Sequence, residues 1–290
     1  MAKDLLQYLE THYQGFSKGQ KAIAGYIRAH YEKAAFMTAA KLGAASGTSE
    51  STVVRFASEV GYSGYPEMSE ALRELVRNKL TSTERMAITE GTYREEDMVS
   101  TVMNADAESI RETLSGLDKK VFHDAVEAIL SAEHIYVIGV RSSSAPASFL
   151  AFYLNLMLPG VKQISSNTAS EVFEQLLHAG KGDVVVGISY PRYSRRTVKA
   201  VKLARAQGAK TVAITDSRTS PLAEAADFAL LARGEMVSFV DSLIAPMSLI
   251  NALIVAVGMR RKEDVYANFE KLEKIWDEYE VYEKLNDRDL

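Results

Sequence analysis

Two short segments rich in arginine and hydroxyl side chains are the parts of this sequence best suited to binding an anion. One is Arg141-Ser142-Ser143-Ser144, and the other extends from Ser189 to Thr197. Guanidinium groups bind phosphate and carboxylate oxygens in pairs, and hydroxyls add further hydrogen bonds. The sequence therefore predicts one anion site with contributions from Arg141, Ser142, Ser143, Ser189, Arg192, Ser194 and Arg196. The alternative is that these serines only cap the helices that follow them.

The order of secondary structure predicts where these segments lie. Short β-branched runs at residues 134–140, 161–166, 183–190, 210–216 and 227–232 are typical of strands, and helical patterns near 143–157, 169–179, 195–207 and 221–226 separate them. This alternation predicts a parallel sheet with helices on both faces. Ligands of such sheets bind beyond the carboxyl ends of the strands, beside helix N-termini that favour anions. Both arginine-rich segments are expected at that edge.

The first 80 residues have a different, all-helical pattern. Ser17, Thr38 and Ser49 are each suited to begin a helix, and Ser46-Gly47 is a turn signal between the second and third helices. Two helices joined by a short turn that contains glycine form the helix-turn-helix pattern, whose second helix enters the major groove of DNA in many proteins.

The third of these helices carries the candidate DNA contacts. Val53, Phe56 and Val60 recur at i, i+3 and i+7 and are expected to pack inward. The polar residues at the start of the helix and on its outer face are Ser49, Ser51, Thr52 and Arg55. Arginine can bind guanine through two hydrogen bonds, and hydroxyls can bind phosphates or base edges. The alternative is a plain three-helix bundle whose polar face is only solvated.

Catalysis is a weaker prediction from this sequence. Glu171, Glu174 and His178 are expected on one face of the helix at 169–179, where a base for sugar chemistry would be useful. Such charged faces are more often solvated, so we predict no catalytic residue. The five histidines lack the paired spacing of metal ligands, so we predict neither a metal site nor a cofactor.

Composition sets the class of protein. The chain has 290 residues, of which 47% are hydrophobic and 25% charged, and it has no cysteine. These values predict two globular domains and exclude disulfides and thiolate chemistry. Residues 1–80 contain ten basic and eight acidic residues, whereas residues 81–290 contain 24 and 30. Binding to nucleic acid is therefore expected only on a short face of the first domain.

One long apolar stretch raises the question of a membrane span. Residues 242–259 form a stretch of 18 residues without a charge. A stretch of about this length is the shortest that can form a transmembrane helix. Pro246, Ser248 and Asn251 lie within the stretch and are unfavourable in lipid, so it is expected to be a buried core helix. Because the first residues do not form a secretory signal, we expect a cytoplasmic protein with no membrane partner.

Both parts of the chain resemble one known family. The segments Ser49-Glu50-Ser51-Thr52-Val53-Val54-Arg55-Phe56 and Gly61-Tyr62-Ser63-Gly64-Tyr65 are similar to the DNA-binding domain of the RpiR/MurR transcriptional regulators. The part from about residue 133 to 232 resembles the sugar isomerase (SIS) domain, a phosphosugar-binding fold that this family also carries. The resemblance implies a regulator that binds operator DNA and senses a phosphorylated sugar or sugar acid. Two alternatives stay open, which are an aldose-ketose isomerase of phosphosugars and an interaction module that no longer binds DNA.

The expected architecture is therefore multidomain. It consists of an all-α helix-turn-helix domain at residues 1–80, a linker and connecting helix at 81–114, an α/β SIS domain with a parallel sheet flanked by helices at 115–260, and an amphipathic helix at 261–290. The last segment has an apolar stripe made of Val265, Phe269, Leu272, Trp276 and Tyr279. Such a stripe needs a partner face, and helix-turn-helix proteins usually bind DNA as dimers, so we expect a homodimer or tetramer.

The loop after the third predicted strand departs from the SIS pattern. That pattern commonly reads Ser-x-Ser-Gly-x-Thr-x-Glu. Ser189 and Ser194 keep two of its hydroxyls, whereas Pro191, Arg192 and Arg196 replace a serine, the glycine and the glutamate. The resemblance thus implies that Ser143, Ser189 and Ser194 contact the ligand.

The added arginines are the unusual feature of this chain. Arg141, like Arg192, stands where the resembling domains commonly have glycine. Extra guanidinium groups predict a ligand with more negative charge, such as a phosphorylated sugar acid or a bisphosphate. The alternative is that these arginines form ion pairs with acids such as Glu171 or Glu174 and shape a contact between subunits.

Overall fold

The computed structural model describes residues 5–79, 81–89, 95–165, 168–233 and 240–283. They form two compact units that divide between Asn104 and Ala105, within a single helix. The first unit extends to Asn104 and also contains Val240 and Asp241. The second unit contains the other described residues from Ala105 onward.

The first unit is helical. Its helices are α1 (Leu5–His12), α2 (Lys18–Ala29), α3 (Tyr31–Ala34), α4 (Ala39–Ser46), α5 (Glu50–Glu59), α6 (Tyr65–Lys79), α7 (Ser82–Thr89) and the first part of α8 (Met98–Ser115). Val53 and Phe56 of α5 are buried, as is Val60 directly after it, which confirms the predicted inner face. Phe56 packs edge to face against Phe16, with ring centroids 5.5 Å apart. This core holds α5 by one side and leaves its other side in solvent.

Hydroxyl side chains set where these helices begin. Each predicted cap does precede its helix: Ser17 precedes α2, Thr38 precedes α4 and Ser49 precedes α5. The Ser49 hydroxyl accepts the backbone N–H of Thr52 at 3.3 Å, which satisfies a donor that the first turn of α5 leaves unpaired. Gly47 ends α4 with a φ of +67°, a value that side chains with a Cβ rarely adopt. The predicted turn between α4 and α5 is therefore confirmed.

The second unit is an α/β domain with one parallel sheet. After the rest of α8, its elements are α9 (Lys119–Leu130), β1 (Ile135–Gly139), α10 (Ser144–Met157), β2 (Val161–Ile164), α11 (Ala169–Gln175), β3 (Val184–Ile188), α12 (Arg195–Ala206), β4 (Lys210–Thr215), α13 (Pro221–Ala225), β5 (Phe228–Leu231), α14 (Ile244–Arg260) and α15 (Lys262–Glu278). The strand order is β2-β1-β3-β4-β5, with every neighbouring pair parallel. All five predicted strands are present, so the predicted sheet is confirmed.

Helices cover both faces of the sheet. Side chains of β1 alternate, so that Val137 joins the apolar cluster of α9, α10 and α14, whereas Ile138 joins the cluster of α11, α12 and α13. Every residue of β1 and of β3 is buried. The strands can therefore place polar groups in solvent only beyond their ends, in the loops that follow them.

Helix α11 is shorter than its sequence pattern predicts. It ends at Gln175, because the N–H of Leu176 bonds to the carbonyl three residues back rather than four. His178 therefore lies beyond the helix. The prediction that Glu171, Glu174 and His178 share one helix face is wrong for this reason.

The charge-free stretch forms most of α14, and Leu249, Ile250, Leu253 and Val257 pack into the core of the second unit. No single helix among the described residues is long and apolar enough to cross a membrane; α14 and α15 pass that test only together, across a bend of 100°. On α15 the predicted stripe is half-buried at Val265, Phe269, Leu272 and Trp276, and Tyr279 is 72% exposed. Self-association through this stripe stays a prediction.

A buried ion pair lies within the first unit. The guanidinium of Arg85, in α7, is 2% exposed and donates to the Asp241 carboxylate at 2.6 Å. Removing an arginine from water is costly unless a counter-charge accompanies it. The pair therefore fixes Asp241 to α7, although Asp241 is distant from that helix in the sequence.

Replacing Asp241 by Asn should remove a negative charge that the buried Arg85 contacts and lower the free energy of unfolding of this unit by about 3 kcal/mol. Urea unfolding followed by circular dichroism measures this. Glu10→Gln is the matched control, because the Glu10–Arg28 pair at 3.2 Å is exposed on both sides and such pairs contribute roughly 0–1 kcal/mol. Equal effects of the two substitutions would show that the Arg85 pair does not stabilise the unit.

Candidate ligand site and DNA-binding surface

The order of the strands defines a crevice at one edge of the sheet. β1 lies between β2 and β3, so the chain leaves β1 toward one side and leaves β3 toward the other. At such a switch point the loops that follow the two strands diverge and open a ligand-binding crevice. Gly139 at the end of β1 pairs with Ile188 at the end of β3, so both loops start at the same level. The two arginine-rich segments directly follow these strands and therefore lie at this edge of the sheet.

The loop after β1 is a single tight turn. Arg141–Ser143 form one turn of 3-10 helix before α10 begins. The Ser144 hydroxyl donates to the Arg141 carbonyl at 2.6 Å, which closes the turn. The hydroxyl of Ser143 does not cap α10 and makes no hydrogen bond to the described part of the chain. It is therefore available to a ligand, next to the helix N-terminus.

The loop after β3 is organised by two serines. Ser189 is buried, and its hydroxyl oxygen accepts the backbone N–H of Ser194 at 3.0 Å. Ser194 in turn caps α12, because its hydroxyl oxygen accepts the N–H of Thr197 at 3.2 Å. The alternative that the serines act as caps thus holds for Ser194. Both hydroxyls accept in these bonds and keep their own protons, which can be donated to an anion.

Two arginines of these loops adopt an uncommon backbone conformation. Arg141 has a φ of 57° and Arg192 a φ of 63°, in the left-handed region that favours glycine. Arg141, Ser142 and Arg192 are exposed, and Arg196 lies half-buried in the first turn of α12. The structure therefore places six of the seven predicted residues between a strand and the next helix, and Arg196 in the first turn of α12.

Sequence reasoning missed a polar cluster beside the second loop. The Tyr193 hydroxyl donates to the Asp216 carboxylate at 2.9 Å, and Thr215 donates to the same oxygen at 3.2 Å. Asp216 follows β4, the neighbour of β3, so the cluster ties the Arg192 turn to the next strand. The available signal was the position of Asp216 at the carboxyl end of a predicted strand.

Two buried hydroxyls adjoin the same loop. Within the described residues, the hydroxyls of Tyr190 and Thr197 are buried and lack a hydrogen-bond partner. Burial, and then the negative charge of Asp216, hold the pKa of Tyr190 well above its ordinary value. Tyr190 therefore stays a neutral hydroxyl across physiological pH.

Helix α5 presents the predicted DNA contacts on its outer side. Ser49, Ser51 and Arg55 are exposed, and Thr52 is half-buried. The hydroxyl of Ser49 bonds to those of Ser51 at 3.0 Å and Thr52 at 2.8 Å, and Arg55 Nε donates to the Ser51 carbonyl at 3.4 Å. The four side chains thus form one connected polar surface around the first turns of α5.

Gly43 of α4 allows the two helices of this motif to approach closely. A Cβ on Gly43 would lie 3.0 Å from the backbone carbon of Ser49 and 3.1 Å from the backbone nitrogen of Glu50. Glycine weakens a helix by roughly 1 kcal/mol relative to alanine. At this position it also keeps the turn against α4, which positions the start of α5.

Metal binding has no geometric support in the described residues, where no group of three or more His, Asp or Glu side chains is placed to hold an ion.

Comparison with known proteins identifies both units. A model described as "Helix-turn-helix domain, rpiR family" matches residues 3–79, and the SIS domain model matches residues 128–256. The chain belongs to the RpiR family of transcriptional regulators. It is 26% identical to the HTH-type transcriptional regulator HexR of Pseudomonas aeruginosa, over 94% of this chain and 95% of HexR.

Two solved structures are similar to this chain in fold. The sugar isomerase domain of the RpiR transcription factor from Sphaerobacter thermophilus is 29% identical, with a TM-score of 0.59 over 61% of this chain and 99% of that one. The Vibrio vulnificus NanR protein, complexed with ManNAc-6P, is 22% identical, with a TM-score of 0.60 over 95% of this chain and 98% of that one. At 22% identity, the similarity to NanR shows a shared fold and nothing further.

Gly139 is the residue on which the shape of the first loop depends. A Cβ at this position would lie 2.2 Å from the Ser143 carbonyl oxygen, so Gly139→Ala should force the turn outward and destabilise the second unit by about 1–3 kcal/mol. Urea unfolding measures the loss. Gly180→Ala is the control in the same unit, because its Cβ would make an ordinary contact at 3.5 Å. A Gly139→Ala protein as stable as this control would contradict the geometry.

Proposed function

We propose that this RpiR-family regulator binds operator DNA through α5 and that a phosphorylated sugar or sugar acid at the β1–β3 crevice changes its affinity for DNA. Effector binding at this crevice is supported by the hydroxyls, helix N-termini and arginines that lie together after two neighbouring strands. The fold shared with NanR, which is complexed with ManNAc-6P, supports a phosphorylated sugar as the ligand class. We place the protein in the cytoplasm, as a homodimer or tetramer.

The proposed domain organisation follows the predicted bounds. Residues 1–80 would bind DNA, 81–114 would connect, 115–260 would bind the effector, and 261–290 would contribute to self-association. Ser49, Ser51, Thr52 and Arg55 would contact the operator, and the seven predicted residues of the crevice would contact the effector. The exposed side of α5 supports the first assignment, and the half-buried stripe of α15 supports the last.

Effector and operator must affect each other reciprocally in this scheme. An effector shifts the protein between two arrangements only as far as its affinities for them differ, commonly by about 1–3 kcal/mol of coupling. Operator DNA must then change effector affinity by the same factor. The scheme is compatible with a repressor released by its effector and with an activator that needs it.

We propose a sensor and not an isomerase. Isomerisation of a phosphosugar needs a base placed at the sugar carbons. Arg196 stands where resembling SIS loops carry glutamate, and α11 ends before His178, so the crevice loops present cations and hydroxyls. Turnover of aldose or ketose phosphates at ordinary enzyme rates, above about 1 per second, would contradict this proposal.

Arg55→Ala should weaken binding to the operator by about 10- to 100-fold, because one paired contact to a guanine is worth roughly 1–3 kcal/mol. Genomic fragment selection with the intact protein first identifies the operator, and fluorescence anisotropy then measures the affinity. Arg111→Ala is the control, since Arg111 is also an exposed arginine and lies in α8, outside the first 80 residues. Unchanged affinity in Arg55→Ala would remove Arg55 from the DNA-binding surface.

Ser143→Ala should leave stability nearly unchanged and weaken effector binding by about tenfold or more, because its hydroxyl has no bond to the described chain and would donate to a charged phosphate. Differential scanning fluorimetry against phosphosugars, phosphorylated sugar acids and their unphosphorylated partners identifies the ligand. Ligand at 100 times its Kd should raise the Tm of the wild type by roughly 5–10 °C.

The control for this variant is Ser131→Ala, whose hydroxyl bonds only to its own helix at the far edge of the sheet. Equal affinity in the Ser143 and Ser131 variants would exclude Ser143 from the site. A protein stabilised by unphosphorylated sugars as strongly as by phosphorylated ones would contradict the proposed ligand class.

A further inference from the structure

Left-handed backbone conformations mark the two crevice loops. Three non-glycine residues among those described have a positive φ, and these are Arg141 at 57°, Arg192 at 63° and Glu280 at 51°. Glu280 follows the end of α15, where a left-handed residue commonly terminates a helix. Arg141 and Arg192 each follow a buried strand, so helix termination does not account for them.

Hydrogen bonds on both sides hold these arginines in place. The Ser144 hydroxyl bonds to the Arg141 carbonyl at 2.6 Å. Arg192 lies between Ser189, which accepts the N–H of Ser194, and Tyr193, which donates to Asp216. Glycine would adopt both conformations without strain, whereas an arginine at each position carries a cost to the backbone.

The two arginines lie in loops that begin at the same edge of the sheet. β1 and β3 are adjacent and in register at their ends, which sets the two loops roughly 5 Å apart where they begin. Both arginines are exposed. Within the described residues the guanidinium of Arg141 forms no ion pair, so its charge is available to a ligand.

We infer that the effector carries two anionic groups. The first is the phosphate, bound by Ser143, Ser189 and Ser194 at the N-termini of α10 and α12. The second is a carboxylate or another phosphate, bound by the guanidiniums of Arg141 and Arg192, which can each offer two parallel hydrogen bonds. This inference rests on the proposed function, because it assigns the chemistry of the same crevice.

Matched pairs of compounds test this inference. In each pair the sugar skeleton is the same and the second anion is present in one member only: glucose 6-phosphate with 6-phosphogluconate, and fructose 6-phosphate with fructose 1,6-bisphosphate. Isothermal titration calorimetry of the intact protein measures the affinities. We expect the member with two anions to bind at least about tenfold more tightly in one pair, since charge-assisted bonds to arginine add that much.

The substitutions Arg141→Gly and Arg192→Gly remove each guanidinium group and keep the left-handed backbone conformation, which glycine adopts readily. Each should raise the Tm by about 2–4 °C, because strain is relieved, and each should reduce the ratio of the affinities for the two-anion and one-anion members by about tenfold. Glu280→Gly is the matched control. It relieves the backbone strain of a left-handed residue outside the crevice, and it should keep the wild-type preference for the ligand with two anions.

Failure of the two-anion inference gives a different result from failure of the proposed effector site. Wild type that binds both members of each pair equally, or a preference that survives in both glycine variants, overturns the two-anion inference and leaves the phosphosugar sensor intact. Absence of binding by all four compounds and by the wider panel of phosphorylated compounds overturns the inference together with the effector half of the proposed function. A preference lost in the crevice variants and kept in Glu280→Gly supports it.

Discussion

The parallel pairing of β1 with β3 is the constraint on which the ligand site depends. It places Gly139 opposite Ile188, so that two loops with unrelated sequences start at the same level. Because the chain leaves the two strands toward opposite sides, the loops diverge and their helices point N-termini at one crevice. Gly139 adds a local requirement, since the next turn passes too close to its Cα for any side chain.

The features predicted correctly from the sequence are those that depend on residues close together in the chain. Strand positions follow from β-branched runs, the starts of α4 and α5 follow from Thr38 and Ser49, and the inner face of α5 follows from the spacing of Val53 and Phe56. Each of these depends on neighbours within a few residues. The parallel sheet then followed from the alternation of strands and helices.

Non-local contacts account for what the sequence did not predict. Helix α11 ends at Gln175, and the next residue, Leu176, is buried in the core against distant parts of the chain, a contact that no periodicity near it reveals. The bond from Tyr193 to Asp216 joins residues 23 positions apart. Arg141 and Arg192 could be suspected only because glycine is common at these positions in resembling proteins; their left-handed conformation required coordinates.

In the proposed site, Ser189 and Ser194 would serve the fold and the ligand through different atoms. Ser189 and Ser194 accept backbone N–H groups through their oxygens, and this leaves the hydroxyl protons for an anion. The loop therefore has its shape before a ligand arrives, which lowers the entropy lost on binding. Arginines held at a cost in strain are compatible with a loop fixed in this way, because the surrounding bonds determine the backbone.

Arg141 and Arg192 also constrain how this protein can change over generations. A single-base substitution converts many arginine codons into glycine codons, and glycine is the residue that suits both backbone conformations. Each such substitution should relieve backbone strain, so drift toward glycine meets no opposition from stability. Under the two-anion inference, loss of effector affinity would oppose it. Under the same inference, effector preference would change in one mutational step per loop, while the sheet below stays as it is.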